Sequence, residues 1–124
     1  SRGLFTEHIS SRNPFGLKTN HKVSKVKKRD CMKVFAYPTP GFVHKKECSK
    51  NIQWVNSFKV FVSYAYGERG SFPYLVIGKP FLGFPEVVCT ETYLHIGPFS
   101  SEDVCNNVKK GLPAFTKIMD VFLP

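Results

Sequence analysis

The stretch Val87-Val88-Cys89-Thr90-Glu91-Thr92-Tyr93-Leu94-His95-Ile96, closed by Gly97-Pro98-Phe99, decides how the rest of the chain is read. Val88, Thr90, Thr92, Leu94 and Ile96 fall on one side at period two. Val87, Cys89, Glu91, Tyr93 and His95 fall on the other. Alternation of β-branched and aromatic residues predicts a strand with one apolar and one mixed face. Gly97-Pro98 is expected to end it, because proline has no N–H for a ladder. Ser100-Ser101-Glu102-Asp103-Val104 follows and predicts a helix start, with a serine N-cap and two carboxylates in the positively polarised first turn.

Working outward, Val104, Val108 and Leu112 recur at spacing four with Cys105 beside them, which gives the helix an apolar face. Gly111 suits a C-cap, and Pro113 the first turn of a second helix through Phe115, Ile118, Met119 and Phe122. Upstream, Phe58 to Tyr64 (FKVFVSY) is the strongest strand signal. Phe58, Val60, Val62 and Tyr64 share a face and Phe61 adds apolar area to the other, so a central position is expected. Cys31 to Ala36 and Phe42-Val43-His44 flank Tyr37-Pro38-Thr39-Pro40-Gly41 and predict a β-hairpin. Residues 48–56 form a polar connection around Trp54 with room for a helical turn. Tyr74 to Ile77 reads as a short strand, Gly78-Lys79-Pro80 as a turn, and Phe81 to Phe84 as another extended piece. The fold class that results is α+β: a twisted, mostly antiparallel sheet with a C-terminal helical segment packed against it.

The chain has 124 residues, 42% hydrophobic and 15% aromatic, enough to bury a core as one domain over 1–124. Its abrupt ends are those expected of a piece cut from a longer chain. No apolar run approaches the roughly 20 residues that span a bilayer, and no signal-peptide pattern opens it. Cys31, Cys48, Cys89 and Cys105 contain no CxxC pair, so reduced structural thiols are expected rather than disulfides or a metal site, and the chain reads as cytoplasmic.

The net charge of +9 is unevenly spread. Residues 1–80 hold fifteen Lys/Arg against four Asp/Glu, whereas residues 81–124 hold three against five. The segment 18–29 (KTNHKVSKVKKR) carries six cations and no carboxylate, and is either a disordered basic linker or a phosphate-facing segment. The asymmetry points to a polyanion, nucleic acid before membrane, against the alternative of a solvated basic surface.

Catalytic motifs are wanting. Gly78-Lys79 is followed by Pro80 and lacks the earlier glycine of a phosphate-binding loop. Glu86 and Glu91 are separated as in a restriction-type nuclease, but Thr92-Tyr93 stands where lysine is needed. His8, His44 and His95 offer general acids and bases without a spacing that pairs them. Asn13-Pro14-Phe15 is a fragment of the adenine-gripping Asn-Pro-Pro-Tyr motif without its second proline.

Three blocks taken together resemble a known family: SSRNPFGLKTN at 10–20, FKVFVSYAYGERGSFPYLVIGKPF at 58–81 and VCTETYLHIGPFSSEDVCNNV at 88–108. In this order they are similar to the carboxy-terminal, TaqI-like specificity region of adenine-specific DNA methyltransferases of type II restriction–modification systems, some fused to an endonuclease. The resemblance implies a target-recognition domain that binds double-stranded DNA and has no catalytic residues or cofactor of its own. S-adenosylmethionine and the methyl-transfer motif would belong to the catalytic domain of the parent chain, its other partner. Leu112-Pro113 departs from the family by interrupting what is a longer helix there.

On that reading Arg12, Lys18, Lys22, Lys25, Lys27, Lys28 and Arg29 are expected to hold phosphates. Asn20 and the loop carrying Tyr66, Glu68, Arg69 and Phe72 are expected to read bases. Gly67 and Gly70 allow close backbone approach to a groove, Arg69 suits guanine, Glu68 cytosine, and the rings stack or meet a thymine methyl. The competing readings are a nucleic-acid hydrolase, a scaffold segment that does not touch DNA, and, for the 66–72 loop, an ordinary solvated turn.

Overall fold

The computed structural model describes residues 9–10, 12–65 and 75–112, with backbone alone at 65 and 75–77. The predicted base-reading loop with Tyr66, Glu68, Arg69 and Phe72, the predicted second helix after Pro113, and His8 lie outside the described residues. Among the described residues six strands and a helix follow in order: β1 (Cys31–Phe35), β2 (Gly41–His44), β3 (Phe58–Ala65), β4 (Leu75–Gly83), β5 (Val87–Cys89), β6 (Tyr93–Phe99) and α1 (Glu102–Lys110). Short 3-10 turns at Lys45–Glu47 and Ile52–Trp54 bridge β2 to β3. The class is α+β, with the strands divided between two three-stranded sheets, β2-β1-β5 and β4-β3-β6. All pairings are antiparallel except β1 with β5.

The division corrects the reading of 87–96 as one strand. The chain leaves the first sheet after Cys89, turns through Thr90–Thr92, and enters the second sheet at Tyr93. The cause lies far away in sequence. Glu91 N–H donates to Leu17 O (2.7 Å), Glu91 Oε1 accepts from Thr19 N–H (3.1 Å), and Tyr64 Oη donates to Glu91 O (2.8 Å). These bonds take Glu91 out of any ladder. The turn closes with Tyr93 N–H on Thr90 O (3.2 Å) and Thr90 Oγ1 on Thr92 Oγ1 (3.0 Å).

Two breaker signals also prove to be irregularities inside strands. β4 runs through Gly78-Lys79-Pro80, where two extra residues bulge out between the pairs Phe61–Phe81 and Ser63–Ile77, with Gly78 at φ +72°. β6 runs through Gly97-Pro98 with one extra residue between Val60–Ile96 and Phe58–Phe99. A proline in a bulge of a strand at the end of its sheet costs no ladder bond.

β3 is central, as its sequence predicts, and separates two cores. Val60 and Val62 pack with Leu94, Ile96, Cys105 and Leu112 on the helix side. Phe61 faces Phe15, Leu17, Met32, Val34, Val43 and Val88. Each fully buried Leu, Val or Phe is worth about 1.5–3 kcal/mol of transfer free energy. Ser101 Oγ caps α1 by accepting from Val104 N–H, and Gly111 ends it. The buried stripe of the helix is Cys105, Val108 and Leu112 rather than one starting at Val104, which is 38% exposed. Ile9 bridges Ile96 and extends the open edge of β6.

Lys59 is the unexpected core residue. It lies beside Phe61 with no solvent exposure, and its Nζ donates to Val55 O (2.9 Å), Val87 O (2.9 Å) and Phe84 O (3.3 Å). The three carbonyls sit on the segments by which the chain crosses between sheets. A Cβ on Gly83 would come within 2.6 Å of both Lys59 Cγ and the Phe61 ring, so the lysine stem fits because that position is glycine.

Candidate nucleic-acid interface

The basic run of 18–29 is folded onto the edge of the β1–β2 hairpin. Ser24 and Phe42 exchange both backbone bonds (Ser24 N–H to Phe42 O 2.9 Å, Phe42 N–H to Ser24 O 2.8 Å). Ser24 Oγ accepts from Val26 N–H (3.1 Å) and donates to Val26 O (2.9 Å), which turns the chain outward. Cys31 N–H on Lys28 O (3.2 Å) turns it back into β1. Of the two readings of this segment, disordered basic linker or phosphate-facing segment, these backbone bonds argue against the disordered linker.

Between this segment and the hairpin lies an open cleft of about 510 Å³. Lys22, Lys28 and Arg29 provide its charge, Val23 and Phe42 its apolar surface, and Cys31, His44 and Glu47 its end. Strand parity explains the wall. Gly41 and Val43 point into the core, so Phe42 and His44 face outward, opposite Lys33 and Cys31 of β1.

Glu47 is the one carboxylate among the described residues of the lining, and it is engaged on both oxygens. His21 Nε2 donates to Oε1 (2.9 Å), and His44 N–H donates to Oε2. Partial burial works to raise its pKa, but the hydrogen bonds from the His21 ring and the His44 backbone, with the coulombic pull of the neighbouring rings, outweigh burial and hold the carboxyl below its usual range. His44 Nδ1 accepts from Lys46 N–H (3.1 Å), so its Nε2 carries the ring proton and is the donor left for a ligand.

Of the seven predicted phosphate ligands the structure gathers Lys22, Lys28 and Arg29 around the cleft. Lys25 and Lys27 lie outside its lining on the outer turn, and Lys18 and Arg12 are exposed further along the loop, with Asn20 exposed between. Sequence reading did not place Phe42, His44 or Glu47 at such a site, weighing His44 only as a general acid or base. The alternation of β2 carries the signal for the first two, once its facing strand is known.

Other chemistry-bearing groups are structural. His95 is fully buried, stacked on Trp54 at 4.3 Å and edge-on to Phe15 at 5.6 Å, a core ring rather than a general base. All four cysteines are free thiols. Burial pushes Cys48 up to about 11 and Cys89 and Cys105 above their usual range, which keeps them protonated. No cluster of three His, Cys, Asp or Glu with metal-binding geometry occurs among the described residues, and no described helix is long and apolar enough to cross a membrane. Comparison of the chain with family models, curated proteins and solved structures finds no match.

Proposed function

We propose that this domain binds double-stranded DNA, with the cleft beside the β1–β2 hairpin holding the phosphate backbone. The observation that carries the reading is the gathering of Lys22, Lys28 and Arg29 around one cleft in whose described lining the one carboxylate is already hydrogen-bonded on both oxygens by its neighbours. Such a surface releases counterions when phosphates replace them, and this supplies affinity without regard to sequence. In the fuller form suggested by the three sequence blocks, the domain is the target-recognition part of a cytoplasmic adenine-specific restriction–modification methyltransferase. The parent catalytic domain would bring S-adenosylmethionine, while Asn20 and the 66–72 loop would read base edges.

The test compares two sets of charge removals by salt titration of duplex binding. Lys22→Gln/Lys28→Gln/Arg29→Gln should flatten the slope of log affinity against log salt by about one per lost contact. Lys25→Gln/Lys27→Gln, outside the cleft, should flatten it less per residue. An unchanged slope in the triple variant, with wild-type melting, refutes the phosphate role.

A further inference from the structure

Phosphates alone do not account for the cleft. Its volume of about 510 Å³ lies within the roughly 300–1,000 Å³ of sites that enclose small organic ligands. A regular duplex backbone presents convex, polar phosphates, which a flat row of cations meets well. Phe42 and Val23 between those cations offer something the paired duplex has no matching surface for. Among the described residues Phe42 joins neither buried core; its backbone is fixed to Ser24 on both sides and its half-buried side chain lines the cleft.

A nucleotide removed from the base stack has the complementary chemistry: a flat apolar base joined to a doubly wet phosphate. Resting on the DNA-binding reading above, we infer that the cleft takes one unstacked nucleotide of the bound strand. Its base lies on Phe42 and Val23, and its flanking phosphates lie between Lys22, Lys28 and Arg29. The His44 Nε2–H is available to donate to a phosphate or base oxygen, since Nδ1 is occupied by the Lys46 N–H. Engagement of Glu47 by His21 and the His44 N–H reduces the repulsion its carboxylate would offer an entering anion. Stacking of a base on an aromatic side chain is tolerant of base identity, so the cleft adds affinity for distorted DNA rather than sequence choice.

The experiment uses the full chain and three probes: a paired duplex, the same duplex carrying one bulged nucleotide, and free nucleoside 5′-monophosphate. The bulged duplex should bind at least about fivefold more tightly than the paired one at equal salt, the lower end of what one stacked base supplies. Phe42→Leu should bring the affinity for the bulged duplex down to that for the paired one. Equal affinity of the wild-type chain for both duplexes overturns the inference and leaves phosphate binding standing. Failure to bind either duplex overturns the DNA reading itself. Competition by the free nucleotide as effective as by the bulged duplex overturns the assignment to a strand. The wild-type comparison does not depend on the variant folding.

Discussion

Replacing Lys59 by methionine tests the account of the core most directly. The ammonium donates to three carbonyls, two at 2.9 Å and one at 3.3 Å, and is wholly out of solvent. A hydrogen bond to a charged group is worth about 1.5–3 kcal/mol net, so three of them, one long, come to about 4–8 kcal/mol. Against this stands the cost of burying the charge. Burial, partly offset by Cys89 and Cys105, takes the Lys59 pKa from its ordinary 10.5 down to about 8. At 1.36 kcal/mol per unit that is about 3 kcal/mol, which methionine does not incur. The balance predicts that Lys59→Met loses about 3 kcal/mol at neutral pH, because Val55, Phe84 and Val87 are left with carbonyls facing apolar surroundings.

Trp54, the single tryptophan, stacks on His95 in the same core and reports unfolding in a denaturant titration. The midpoint should fall with no change in slope. The pH dependence supplies a second check. From about pH 8 to 10.5 the unfolded chain holds the Lys59 proton and the folded chain gives it up, so this residue's contribution to stability rises with pH across that window. The gap between wild type and Lys59→Met should therefore widen between pH 7 and 9.5 by about 2 kcal/mol. A methionine variant as stable as wild type, as happens when some buried ions are replaced by apolar side chains, refutes the claim that these bonds hold the crossover segments. A gap that narrows at alkaline pH refutes the direction of the pKa shift.

Leu94→Ala should cost about 2–5 kcal/mol, since Leu94 is fully buried between β3 and α1; wild-type melting would mean its face is misassigned. Gly16→Ala should destabilise by about 1–3 kcal/mol, because Gly16 sits at φ +81° with its would-be Cβ against Ser49 Oγ. Adding Ser49→Ala should recover the steric part and leave the backbone part, and a double variant no better than the single one would show that strain alone is at work. On the target-recognition reading proposed above, Arg69→Ala in the parent enzyme should lose about 1–3 kcal/mol of discrimination at one position of the recognition site, and an unaltered methylation profile across all single-base variants of that site would refute a base-reading role for Arg69.

Elements whose signals are local were legible in the sequence. The hairpin of β1 and β2, the central β3 and the Ser101-capped helix each carry their own periodicity, turn residues or cap within a few positions. Errors arose where a distant partner overrides the local pattern. Nothing near Glu91 indicates that Leu17 and Thr19 will claim its N–H and carboxylate, and without them the alternation from Val87 to Ile96 is a sound strand. The Gly-Lys-Pro of 78–80 has the composition of a turn, and becomes a bulge because β3 continues to pair beyond it. Lys59 reads as the polar position of an amphipathic strand. Its burial depends on carbonyls up to 28 positions away.

The same division runs through the candidate interface. Positive charge is additive and visible in any order, so the run from Lys18 to Arg29 raises the expectation of a polyanion partner from sequence alone. A cleft is not additive. It requires that the run be laid along β2, and a residue at 41 with a side chain would prevent that: its Cβ would meet Ser24 O and Val23 Cγ2 at 2.7 Å. Gly41 thus lets the basic segment approach the strand, the approach turns Phe42 and His44 from ordinary strand positions into the wall of a cationic cleft, and the His44 cap then engages the carboxylate that would otherwise oppose an anion. On the proposed reading, charge selects the class of partner, and this close contact between loop and strand decides where on the molecule it would be received.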